Sequence, residues 1–281
     1  MKPNDRFLGL PKTFWANVRL ISQEVGYTER GTNQIKIPSI AMIGSKLDSF
    51  GIDLDHLKTQ KIGRHNFAAL LQDYFSYRAN ILNSYVEPRL MDVKKAKKVF
   101  HEHYKKLNPS CPIPMNKQKG TKKAPAYLTG LVNMLIEENS QGLPCDYDPH
   151  KLTTLTRDQL PLRTLARRVD GAFPSSLNPI AVWEIKEYYY TTTFGSRVAD
   201  GIYETLLDGL ELEELAVNEN VKVQHYLIVD AYDTWWNMGK SYLCRIIDLL
   251  HMGLIDEALF GYEIVERLPS IVNQWVSRMV K

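Results

Sequence analysis

The sequence predicts an α/β protein whose first third is helical, and three observations carry that expectation. The runs "TLARRVDGAF" (164–173) and "NPIAVWEIKEYYY" (178–190) are rich in β-branched and aromatic residues and flank a Pro/Ser/Asn turn, as two strands do. A third apolar run, "VKVQHYLIVDAY", reads as a buried strand, and the stretch between it and the second run has helical spacing. Helix, strand, strand, helix, strand, helix in that order is the pattern of an α/β core.

Taken from the start, "TFWANVRLISQEVGY" reads as a helix, followed by turn-rich "TERGTNQIKIPS" and a second apolar stretch, "SIAMIGSKLDSFGI". In "NFAALLQDYFSYRANILNSYV" apolar residues recur three and four apart, and Pro88 marks the end or a kink. A basic helix over 89–107 follows, closed by "NPSCPIPMNKQKGTKK", whose prolines and lysines suit a linker or loop. "PAYLTGLVNMLIEENSQG" reads as an amphipathic helix ending at Gly142. "SRVADGIYETLLDGLELEEL" reads as another, capped by Ser196, with Val198, Ile202, Leu206 and Leu210 on its buried face. "KSYLCRIIDLLHMGLIDEALF" and "IVERLPSIVNQWVSRMV" complete the chain as helices. The division expected from this pattern is a mostly helical region over 1–123, carrying the basic segment, and an α/β region over 124–281.

With 281 residues, 44% hydrophobic and 24% charged, the chain has the composition of an ordinary globular protein with a real core. It has no apolar run long enough to span a bilayer and no signal-peptide pattern, and its three cysteines suggest no disulfide framework. A cytoplasmic location is expected. The net charge of +3 hides an uneven distribution. Residues 89–123 hold eleven Lys and Arg against Asp92 and Glu102, whereas residues 200–219 hold seven acids and neither Lys nor Arg. A local basic zone suits a polyanion such as nucleic acid; it is equally the composition of a solvated helix face.

The chemistry-bearing stretch is "AVWEIKEYY" (181–189). Side chains alternate along a strand, so Glu184 and Lys186 share one face and Trp183 and Ile185 the other. An acid two residues before a lysine is common by chance, and Asp92-Val93-Lys94, set in a helical stretch, is such a case. The copy at 184–186 differs because Asp170 closes the preceding apparent strand, fourteen residues earlier, and the helix with Glu137 and Glu138 comes before both. Two carboxylates on adjacent strands can converge on one hard cation such as Mg²⁺. A lysine beside them can orient a water, accept its proton if its own pKa is depressed, or stabilise charge on a phosphorane.

These residues resemble the active-site motif of the PD-(D/E)XK nuclease superfamily, which includes most type II restriction endonucleases. The resemblance covers roughly residues 126–230. It implies a restriction-endonuclease-like mixed sheet flanked by helices, with Mg²⁺ held by Asp170, Glu184 and the carbonyl of Ile185. Lys186 would stand by the attacking water, with Glu137 or Glu138 assisting. It further implies an endonuclease acting on double-stranded DNA, with a homodimer expected because a two-strand cut needs two active sites. Val169 stands where the family name has proline, and "KLTTLTRDQLPL" is the candidate for the strand that usually precedes the aspartate. Repair, nicking or RNA processing, and nucleic-acid binding without catalysis, are the other functions open to this pattern.

Other motifs carry less. "NMGKS" lacks the first glycine of a phosphate-binding loop and reads as a helix start, and "HEHY" has no zinc-ligand spacing. Tyr188, Tyr189 and Tyr190 suit either strand packing or a nucleic-acid groove with Arg197 beside a phosphate. Arg163, Arg167 and Arg168 either draw phosphate to Asp170 or neutralise nearby acids.

Overall fold

A computed structural model describes residues 1–192 and 195–279, apart from the side chain of Arg197. The chain divides into two compact units, and the division does not fall after residue 123. One unit comprises Pro3–Pro88 with Trp235–Gly253; the other comprises Arg89–Thr234 and Leu254–Lys281 together with the first two residues. The basic segment therefore belongs with the α/β unit. Its helix carries an apolar stripe of Ala96, Val99 and Phe100 that can be buried only in the α/β core.

The helical unit contains α1 (Lys12–Val25), α2 (Ile40–Ser49), α3 (Asp55–Thr59), the hairpin β1 (Lys61–Ile62) and β2 (His65–Asn66), and α4 (Phe67–Ile81). Ser39 caps α2 and Asn66 caps α4, each accepting a backbone N–H at 3.2 Å. Phe14, Trp15, Val18, Ile43, Leu47, Phe67, Leu71 and Tyr74 form the core. Inside it Arg78 donates to Asp248 at 3.0 Å and to Ser22, and Tyr74 donates to Asp248 at 2.6 Å.

In the α/β unit, α5 (Val93–Leu107) and α6 (Tyr127–Asn139) precede a hairpin, β3 (Thr154–Arg157) with β4 (Leu160–Thr164). Next come β5 (Gly171–Phe173), β6 (Ala181–Glu187), α7 (Ser196–Glu219) and β7 (Gln224–Asp230). The chain then contributes α8 (Lys240–His251) to the helical unit and returns as β8 (Glu257–Phe260) and α9 (Glu263–Met279). The sheet order is β5-β6-β7-β8, with β5 antiparallel to β6 and the other pairs parallel. This is a mixed α/β architecture with helices on both faces. Trp183, Ile185, Tyr226, Ile228 and Leu259 pack against α5, α6 and α9 on one face; Val182 and Ala172 pack against Leu212 and Leu215 of α7 on the other.

Three expectations shift. "GLIDEALF" was expected to continue a helix, but Gly253 turns at φ +81° and 257–260 form the fourth strand. The stretch 154–164 forms its own hairpin; the free edge of β5 is met instead by a single antiparallel bridge from Asp146 to Ala172. The helix α7 starts at Ser196, but Gly195 takes the cap position and no side chain caps it. Its buried stripe is Val198, Ile202, Thr205, Asp208, Leu212 and Leu215, whereas Leu210 is 44% exposed. Asp92, set aside as a chance motif, is the N-cap of α5 and accepts the Lys95 N–H at 2.7 Å.

Candidate active site

The register Gly171↔Trp183, carried one residue further, sets Asp170 opposite Glu184, and facing residues of an antiparallel pair share a side. Asp170, Glu184 and Lys186 thus stand together on the face covered by α7. The edges of the strands matter as well. The Asp170 N–H donates to the Trp183 carbonyl at 3.1 Å, and the Ile185 N–H, past the start of β5, donates to Asp170 Oδ2 at 2.7 Å. A strand residue directs its N–H and C=O to the same edge, so the Ile185 carbonyl lies on the Asp170 side too.

Gly171 makes the approach possible. A Cβ there would come within 2.1 Å of the Trp183 indole, which is stacked on Trp275 at 5.6 Å and 9° and has nowhere to move. Gly171→Ala is expected to cost about 1–3 kcal/mol or more by overpacking and to displace Asp170 with it. Chemical denaturation checks the first effect, and an unchanged midpoint would contradict it.

Glu184 is fully buried and Lys186 nearly so. Lys186 Nζ lies 2.7 Å from Glu184 Oε2 and 3.0 Å from Glu204 Oε2. Gly201 lets α7 pass over the stem of Lys186, since a Cβ there would meet Cδ and Cε at 3.2 Å. Burial alone would lower the lysine pKa, but Glu184, Asp170 and Glu204 outweigh it and hold it above its ordinary value. Lys186 is therefore a fixed cation, and the depressed pKa that a proton acceptor needs is not what its surroundings produce. Burial would likewise raise the Glu184 carboxyl, yet Lys186 and Arg167 hold it below its usual range.

Arg167, Glu204 and Asp208 complete the cluster, and none of the three was singled out as a site residue by the motif. Arg167 Nη1 lies 2.8 Å from Glu184 Oε1 and 2.6 Å from Asp208 Oδ2; its Nη2 lies 3.3 Å from Glu204 Oε2. Two oxygens on fully buried residues, Glu184 Oε1 and Asp208 Oδ1, accept no hydrogen bond. Burial, then the Glu184 charge, pushes the Asp170 carboxyl up to about 6 and that of Asp208 up to about 7.

A carboxyl raised in the folded chain keeps its proton longer there than in the unfolded chain. Asp208 therefore subtracts stability as pH rises from its unfolded value of 3.8 to about 7. In chelator, Asp208→Asn should gain melting temperature relative to the parent between pH 5 and pH 8. A difference independent of pH would contradict this environment.

Glu137 is not brought to this cluster. It sits at the end of α6, where Ser110 donates to it through N–H and hydroxyl, and α6 packs on the Trp183 and Ile185 face. The start of α6, not its end, meets β6: Thr129 donates twice to Glu187 at 3.0 Å. Glu138, next along α6, belongs to the same opposite layer. Tyr189 is held in the core by its hydrogen bond to Asp230, which favours the packing reading, and the Arg197 side chain lies outside the described residues. Arg163 pairs with Glu211 and Glu214 of α7, so it and Arg167 both neutralise acids, while Arg168 is exposed beside His150. In "NMGKS", Lys240 starts α8, donating to the Asn33 carbonyl at 2.9 Å over the Trp236 ring.

The donor set is one for a hard cation: carboxylate oxygens, a strand-end carbonyl, and buried oxygens whose hydrogen-bonding capacity is unused. Among the described residues, no three His, Cys, Asp or Glu groups are placed to hold a metal ion. Lys186 and Arg167 stand between the carboxylates, so the protein's own cations occupy the ground an ion would need.

No curated protein and no solved structure matches the chain. None of the described helices is long and apolar enough to cross a membrane. Residues 1–85 match the family described as a domain of unknown function, DUF7690, and residues 91–275 match that described as DUF7687. The two matches abut where the helical and α/β units divide at residue 88. Since the second covers more than half its length and the whole acid–lysine cluster, the chain belongs to the DUF7687 family.

Proposed function

We propose that this protein is a Mg²⁺-dependent endonuclease of the PD-(D/E)XK kind, hydrolysing phosphodiester bonds in double-stranded DNA. The observation that carries the reading is the placing of Asp170, Glu184 and Lys186 on one face of two adjacent strands, with the Ile185 carbonyl on the same edge. Asp170, Glu184 and that carbonyl would hold Mg²⁺. When bound, Mg²⁺ supplies Lewis acidity, lowering the pKa of a water and neutralising charge on the phosphate. Lys186, kept charged, donates to the developing anionic oxygen or orients the nucleophile; it does not take the proton.

Basic residues support DNA as the substrate. The loop with Lys117, Lys119, Lys122 and Lys123 leads into the start of α6, beside Glu187 at the end of β6 where Lys186 stands. The exposed lysines of α5 extend this positive surface over the opposite layer. Sequence-specific restriction by a homodimer is the biology proposed, with the 89–123 segment sharing in recognition. One observation favours a rival reading as a binder without catalysis: Glu184 is already closed off by Lys186 and Arg167.

Incubating the protein with plasmid and phage DNA, in Mg²⁺ and in EDTA, separates the two. Discrete Mg²⁺-dependent fragments are expected. Intact DNA that shifts on a gel with or without the ion would leave the binder.

A further inference from the structure

Arg167 occupies an unusual position for a surface arginine. It lies between β4 and β5 with its side chain 23% exposed, yet a single nitrogen, Nη1, stands between two carboxylates that are fully buried. Guanidinium is a cation at any physiological pH, so Nη1 represents positive charge at a point bounded by Glu184 and Asp208, with Glu204 at the rim. The position is imperfectly filled. Glu184 Oε1 is at ion-pair distance without a hydrogen bond, and Asp208 Oδ1 has no partner. His225, on the same face of β7, donates no bond from a buried Nε2 and receives none. Four carboxylates (Asp170, Glu184, Glu204, Asp208) surround two cations, so the cluster has capacity for more positive charge.

We propose that Arg167 holds the place of a divalent cation in a second ion site made by Glu184 of β6 with Glu204 and Asp208 of α7, and that an ion entering there turns the guanidinium outward. The inference rests on the reading of Glu184 as a cation ligand. The mobile partner is the arginine, because Glu184 and Asp208 are locked in the interior while Arg167 and the 42%-exposed Glu204 lie at the opening. Once released, the guanidinium stands at the mouth of the site, where its planar fork matches a phosphate bidentately. The same side chain thus holds the ion-free cluster together and becomes available to the polyanion only after an ion has entered.

The test titrates the full-length protein with Mn²⁺, without DNA, by calorimetry or by electron paramagnetic resonance. Arg167→Gln removes the competing cation and is expected to bind Mn²⁺ at least about tenfold tighter than the parent. Adding Asp208→Asn to that variant is expected to abolish the gain. Circular dichroism reports folding; if Arg167→Gln is unfolded, Arg167→Lys serves instead. It is expected to bind Mn²⁺ more tightly than the parent, because one ammonium cannot span Glu184, Glu204 and Asp208. Unchanged affinity in the folded variant, or a gain that survives Asp208→Asn, would overturn the proposal. Protein that cuts DNA with Mg²⁺ but whose Arg167 variant binds Mn²⁺ no tighter loses the second site and keeps the nuclease. Tighter Mn²⁺ binding by the variant, in a protein that cuts nothing, does the reverse.

Discussion

Glu184→Gln is expected to lower Mg²⁺-dependent DNA cleavage by roughly 10²–10³-fold or more, the size of loss that follows removal of one preorganised charge from a closed site. The change is nearly isosteric, so packing stays, and what disappears is the one negative charge that both Lys186 and Arg167 contact. Stability should fall as well, by up to about 3–5 kcal/mol, since two enclosed cations lose a shared partner. Glu204 and Asp208 remain and offset part of that. The two readouts answer different questions. A loss of cleavage with the fold retained at assay temperature assigns Glu184 to the chemistry. A loss of stability alone, with unchanged turnover per folded molecule, would make the cluster structural.

Asp248→Ala should be the most destabilising single change in the helical unit. Asp248 is buried and receives Arg78 and Tyr74, themselves enclosed among Phe75, Tyr27 and Ser22. Removing the carboxylate strands a guanidinium with no route to water, at an expected cost of about 3–5 kcal/mol. The double change Arg78→Met with Asp248→Leu should be milder than Asp248→Ala, because the cost lies in the unpaired charge more than in the lost contact. Urea denaturation of the three proteins decides it. A double variant as unstable as the sum of its parts would mean the pair itself, and not its breakage, carries the energy.

The legible part of this molecule was the part written in period and spacing. Alternation along 181–187 separated Glu184 and Lys186 from Trp183 and Ile185, and the structure sets those pairs on opposite faces of β6. The partners on α7 were hidden because burial was assigned by apolarity. Leu206 and Leu210 looked like the inner stripe, whereas Thr205 and Asp208 are inside, and an acidic run that reads as a solvated face supplies two of the carboxylates around Arg167. Asp208 can be buried there because a cation is waiting for it, and no local pattern announces a partner forty-one residues away. Glu137 failed for a related reason. Helical spacing shows which residues share a face, but not which face of a sheet the helix will cover, and α6 covers the other one. The boundary expected at 123 followed a change in composition; the core followed Phe100, which packs over Gly130 of α6.

The return of the chain to its first unit sets an order of events during synthesis. Helices α1 to α4 leave the ribosome early, but α8, which brings Asp248 and His251 to them, comes after the strands β3 to β7. At about 5–20 residues per second, the wait is roughly ten to thirty seconds. For that time Arg78 lacks its counter-charge and the ring cluster of Phe7, Tyr74 and Tyr77 lacks His251. A fragment ending at residue 85 would be left permanently in that state, a natural client for a chaperone. The last strand, β8, can dock only after the polypeptide has completed this detour, so maturation of the nucleolytic half waits on an excursion through the other.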